Sequence, residues 1–136
     1  MSIHEMISTH PHVAGHTNDP LTKAIAACYE CAETCTSCAD ACLGEKPDML
    51  PNLTQCIRLN SDCADICNAA GRIATRRTGS NEALIKSVLA ACAEAAQRCG
   101  DECGKHAEMH EHCRICAEAC RRCVAACNEA VGTISA

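Results

Sequence analysis

Sixteen of the 136 residues are cysteine, and their spacing is the first chemical signal in the chain. Cys28, Cys31, Cys35, Cys38 and Cys42 follow one another at intervals of three and four, and Cys113, Cys116, Cys120, Cys123 and Cys127 repeat those intervals near the C-terminus. Cys56, Cys63 and Cys67 are spaced by seven and then four, as are Cys92, Cys99 and Cys103. Alternating threes and fours make a heptad seam, which lays every thiol along one stripe of a helix. Ala or Val would fill such a stripe without risk of oxidation, so the sulfur itself must be what the stripe is for.

Six pairs stand four apart: Cys31 with Cys35, Cys38 with Cys42, Cys63 with Cys67, Cys99 with Cys103, Cys116 with Cys120, and Cys123 with Cys127. Helical neighbours at this spacing hold their Cβ atoms about 5–6 Å apart, whereas a disulfide requires roughly 3.5–4.5 Å. Bridges within a helix are therefore disfavoured. A metal ion between two sulfurs spans about twice a metal–sulfur bond of roughly 2.3 Å, and that length suits the spacing.

Soft thiolates select Cu(I), zinc or iron–sulfur clusters. Charge separates these candidates. Sixteen buried thiolates are heavily negative, and zinc in four-coordinate sites would offset only about half of that charge, at a large cost in a low-dielectric core. Monovalent copper at about one ion per cysteine brings the core near neutrality, so Cu(I) is the leading candidate and a zinc or cadmium thiolate buffer the alternative. Cys28-x2-Cys31-x3-Cys35-x2-Cys38 departs from the ferredoxin run C-x2-C-x2-C-x3-C-P, which weakens an iron–sulfur electron carrier. A redox enzyme would need one activated C-x-x-C, and here Cys28-x2-Cys31 sits inside a repeated ladder. No catalytic site is expected.

The seams need four helices to carry them. Asp19-Pro20 reads as an N-cap followed by a first-turn proline and Gly44 as a stop, giving a helix over about 20–43. Pro47 and Pro51 allow a second from near Asp48, ending before Thr78-Gly79-Ser80; a third runs from near Asn81 to about His106, and a fourth over roughly 109–132. Short links between long helices predict an all-α, antiparallel up-down-up-down four-helix bundle over residues 19–136. Residues 1–18 form a separate N-terminal segment, with a short amphipathic turn through Ile3, Met6 and Ile7 that Pro11 ends. The cysteine counts run five, three, three, five, a mirror order along the chain.

Composition agrees with a narrow, folded, helical core. Tyr29 is the one aromatic residue, 48% of residues are hydrophobic and 21% charged, so Ala, Leu, Ile, Val and Cys must fill the interior. A net charge of −5 with scattered basic residues offers no face for nucleic acid. No apolar stretch approaches the ~18 residues of a membrane span, and the N-terminus lacks the pattern of a signal peptide or twin-arginine leader. A cytoplasmic location, where thiols stay reduced, is expected.

Antiparallel helices make the two bundle ends different. Extending the seams brings Met49, Leu53, His106, Met109, His110 and His112 to one end, where imidazole and thioether ligands suggest a path for Cu(I) toward the thiolates. Leu21, Ile25, Ala70, Ala74, Ile85, Val88, Val131 and Ile134 gather at the other, which reads as a hydrophobic plug. Asn60 and Asp62 stand near Cys63 as candidate oxygen ligands or hydrogen-bonding groups. His4, His10, His12 and His16 read as a surface segment, although such a tract could also bind metal.

These features together carry a family resemblance. The cysteine seams, His110-Glu111-His112-Cys113-Arg114-Ile115-Cys116 and Cys56-Ile57-Arg58-Leu59-Asn60 resemble the cytosolic bacterial copper storage proteins over nearly the whole chain. The resemblance implies a four-helix bundle, assembly into a homotetramer, and many Cu(I) ions held along the core by cysteine thiolates, with His and other groups at the mouth.

Overall fold

The computed structural model describes residues 2–79 and 81–135. A short helix, α1 (Ile3–Ser8), precedes four long ones: α2 (Asp19–Leu43), α3 (Leu50–Thr75), α4 (Glu82–Gly104) and α5 (Glu111–Gly132). α2 packs on α3 and α5, and α4 packs on α3 and α5, so the four close into a ring around one core. This is the antiparallel four-helix bundle that the seams require.

Local chemistry sets the boundaries, with some differences from the expectation. α2 is capped by Asn18, whose Oδ1 accepts from the Leu21 amide at 3.0 Å; Asp19 is instead the first helical residue, and its charge suits the positive end of the helix dipole. Gly44 does end α2, but with a right-handed φ of −85°. Glycine's conformational freedom is therefore unused there. The stop comes from Lys46, held extended (φ −58°, ψ 142°) ahead of Pro47, as the pyrrolidine ring demands of the preceding residue. Pro47–Met49 then form one 3-10 turn before α3 begins.

α4 stops at Gly104, short of the expected His106, and residues 105–109 turn before His110 caps α5 in an extended conformation. Seam extrapolation through this turn consequently fails for Met109, which is 71% exposed. Of the turn before α4, Gly79 takes a positive φ of +82°, while Ser80 lies outside the described residues.

The core is narrow because its side chains are small. Ala, Cys, Ile and Leu supply nearly all of it, and two glycines let helices approach closely. A methyl group on Gly71 would come within 2.9 Å of the Tyr29 ring, and one on Gly100 within 3.1 Å of the Cys120 Cβ. One end is sealed: Leu21, Ile25, Ala70, Ala74, Ile85 and Ile134 are buried there, joined by Leu89, with Val88 and Val131 partly buried. α1 lies over this end through Ile7, which shares a small cavity with Val13, Leu21 and Ile25. Met6, on the outer side of α1, is exposed.

Candidate metal centre

All sixteen cysteines are free and buried. They make a continuous sulfur path rather than separate sites. From Cys28, near the sealed end, sulfur contacts lead to Cys92 (3.6 Å), Cys67 (3.1 Å), Cys63 (3.7 Å), Cys31 (3.8 Å) and Cys35 (3.8 Å). The path continues through Cys99 (3.9 Å) and Cys103 (4.0 Å) to Cys56 (3.3 Å). Four of the six i,i+4 pairs lie at 3.7–4.0 Å, and the Cys38–Cys42 and Cys116–Cys120 pairs fall within 4.8 Å.

Seams from different helices interlock, so the thiols form overlapping groups. Cys28, Cys92, Cys123 and Cys127 make one; Cys31, Cys35, Cys63 and Cys120 another; Cys35, Cys99, Cys116 and Cys120 a third. Cys31 and Cys123 recur with Cys67. A sulfur that belongs to two groups is placed to bridge two metal ions. Cross-helix contacts include the shortest ones, and helical spacing alone could not disclose these.

Asn60 is fully buried and belongs to the same network. Its Oδ1 accepts from Cys99 at 2.9 Å, Cys116 at 3.1 Å and Cys103 at 3.5 Å, while its amide donates to Cys56 at 3.6 Å. Residues 56, 60, 63 and 67 keep the interval four, three, four, so Asn60 occupies the vacant seam position of α3. That spacing was the signal for its role. Asp62, two residues on, is exposed and takes no part.

At the open end Cys38, Cys42, Cys113 and His112 form a mixed sulfur and nitrogen group. His112 Nδ1 lies 3.4 Å from the Cys38 sulfur and 3.6 Å from that of Cys113. Its other nitrogen, Nε2, meets Glu45 Oε2 at 2.9 Å, and the same oxygen meets His110 Nδ1 at 3.1 Å. His106 Nε2 pairs with Glu102 Oε2 at 3.0 Å. All three imidazoles therefore hold a carboxylate on one nitrogen, the arrangement that orients metal-ligating histidines. Met49 is half-buried against the core, whereas Met109 faces away from it. Glu45 carries no periodic signal, being in a link between helices, and was not anticipated.

Cys38 and His112 also line a surface groove between α2 and α5 with Glu33, Thr34, Ser37 and Ile115. The sulfur path thus approaches solvent at this end. The N-terminal histidines sit toward the other: His10 bonds Thr78 at 3.0 Å, and His4 bonds Thr17 at 3.2 Å near Asp19.

Proton affinities follow the packing. Burial pushes the Cys42 thiol up to about 11. Within the ladder, Cys38 is lowered, chiefly by its hydrogen bond with Cys103. Cys113 is raised, chiefly by its hydrogen bond with Cys38 and also by burial. Burial opposes charge on His112, but its bonds with Cys38 and Glu45 outweigh this and raise its pKa. Glu45 is lowered in turn, led by the hydrogen bond with His112.

Comparison with known proteins identifies this architecture. A structure of the copper storage protein Ccsp from Streptomyces lividans, loaded with 10 copper equivalents, is 44% identical and superposes with a TM-score of 0.89, covering 96% of this chain and 98% of that one. A structure described as copper loading to a cytosolic copper storage protein from the same organism, with five coppers, is 47% identical with a TM-score of 0.82, covering 86% and 96% respectively. The cysteine-rich protein YhjQ of Bacillus subtilis (strain 168), described as uncharacterized, is 39% identical over 95 residues, 70% of this chain and 81% of that protein. Residues 17–132 match the copper storage protein family, Csp. The chain belongs to the copper storage protein family.

Proposed function

We propose that the protein is a non-catalytic store for Cu(I), working in the cytoplasm as a homotetramer and holding many ions along its core. The observation that carries this reading is the unbroken sulfur path from Cys28 to Cys56, with every step between 3.1 and 4.0 Å. Two sulfurs on one ion can stand no farther apart than about twice a bond of roughly 2.3 Å. Each step is therefore short enough for a bridging ion, and the shared sulfurs favour many monovalent ions over a few isolated divalent ones. The Ccsp structures, described as copper-loaded, support the choice of metal.

The sixteen cysteines are the ligands in this reading. Asn60 supplies an acceptor inside the ladder, and His112 joins Cys38, Cys42 and Cys113 at the mouth. His106 and His110 lie along the approach, and Met109 stands outside it. Loading replaces thiol protons with copper, and the sheathing helices keep bound Cu(I) from redox cycling. The apo bundle is prefolded, since its caps and aliphatic end need no metal.

The quartet of Cys28, Cys92, Cys123 and Cys127 also has the ligand number of a tetrahedral divalent site. A zinc or cadmium buffer is thus the second reading. Anaerobic titration of reduced protein with Cu(I) against a competing chelator, in parallel with zinc, separates the two. Saturation near one copper per cysteine, with copper displacing zinc, is the expected result. Saturation at about four divalent ions that resist Cu(I) would establish the buffer instead.

A further inference from the structure

Glu45 belongs to no helix, yet its Oε2 meets two imidazoles at once, His110 through Nδ1 and His112 through Nε2. An ionised carboxylate only accepts hydrogen bonds. Each neutral ring must then carry its single N–H on the nitrogen that faces Glu45. His112 is left with a bare Nδ1 and His110 with a bare Nε2, so one oxygen imposes opposite tautomers on two rings two residues apart. For His112 the bare atom is the one beside Cys38 and Cys113. For His110 the result is less ordinary, because histidine in water favours the proton on Nε2. The Glu45 link also joins the α2–α3 connection to the start of α5, across the mouth of the bundle.

We propose that Glu45 is a positioning residue for copper capture, setting opposite tautomers on His110 and His112 so that each presents a lone pair to incoming Cu(I). The proposal rests on the reading of this end as the copper path. Removing such an outer carboxylate typically lowers metal affinity about 10–100-fold. The core thiols do not depend on it, so capacity is untouched.

The test begins without copper, with long-range proton–nitrogen spectra of the histidine rings in the 15N-labelled full chain, at a pH where both rings are neutral. His110 should carry its proton on Nδ1 and His112 on Nε2. In Glu45→Ala, His110 should revert toward Nε2–H, and affinity for the first copper, measured against a chelator, should fall about 10–100-fold with total capacity unchanged. Glu45→Gln keeps the side-chain shape and adds a competing donor; its loss of tautomer bias serves if the alanine variant misfolds. Glu102→Gln should disturb His106 alone. An Nε2–H tautomer on His110 in the unsubstituted protein, tautomers that survive both Glu45 variants, or an unchanged first-copper affinity would each overturn the proposal. His112→Ala tests the underlying copper path separately: an unaltered first-copper affinity there would refute that path, while the metal-free spectra still report on Glu45.

Discussion

The Asn60 side-chain oxygen lies 2.9 Å from the sulfur of Cys99, placing an amide inside a seam otherwise made of thiols. Its polar atoms are satisfied by cysteines from three helices. Asn60→Leu keeps a similar volume but leaves those thiols without their acceptor. Unsatisfied buried groups cost about 1–3 kcal/mol, and a thiol is a weak donor, so the metal-free variant should lose about 1 kcal/mol in urea unfolding. No loss in the apo protein would mean that the amide contributes nothing until metal arrives.

Gly100 tests how tightly the sulfur stripe is packed. Alanine in a helix interior gains about 1 kcal/mol over glycine, yet its methyl group would sit 3.1 Å from the Cys120 Cβ. Both atoms are fixed to helix backbones, and overpacking costs about 1–3 kcal/mol. Gly100→Ala should therefore lower the melting temperature of the apo protein. A rise would show that α4 and α5 can move apart.

The sealed end carries stability without carrying ligands. Leu89 is fully buried there, and truncation to alanine typically costs 2–5 kcal/mol. Leu89→Ala should destabilise the apo bundle by about that amount while Cu(I) capacity at saturation stays the same. A fall in capacity with helicity intact would implicate the plug in holding metal.

Alkaline pH should weaken the apo protein. The Cys42 thiol is raised from 9.0 to about 11 by burial, so the folded state retains a proton that the unfolded chain releases. Its contribution is complete below pH about 9 and is lost as pH climbs through about 11. Thermal unfolding across that window should show a falling midpoint in the apo form. Copper-loaded protein, whose sulfurs have no thiol protons left to lose, should show a much flatter profile.

The seams were legible because the side chains that face a helix axis must recur at three and four, and no turn interrupts that rule inside α2, α3, α4 or α5. Asn60 stands out in the sequence as a candidate oxygen ligand or hydrogen-bonding group near Cys63, and it hydrogen-bonds to four cysteines from the seam position between Cys56 and Cys63. Beyond the helices periodicity lapses. Met109 extrapolates to the seam and yet faces solvent, since α4 stops at Gly104 and the chain turns through residues 105–109. Glu45 could not be placed for the same reason: its reach to His110 and His112 depends on how two separate links close over one bundle end. Asn18 displaced Asp19 as the cap because both residue types suit that position, and only the backbone geometry decides between them.

Closure of one end by Leu21, Ile25, Ile85 and the overlying α1 gives the interior the topology of a magazine rather than a pipe. Ions that reach Cys28 must be handed along the sulfurs that lie between it and the mouth, and must leave by the same route. The ions nearest His112 form an exchangeable reserve, those nearest Cys28 a deep one, and retrieval slows as the protein empties even if every copper–sulfur bond is of equal strength.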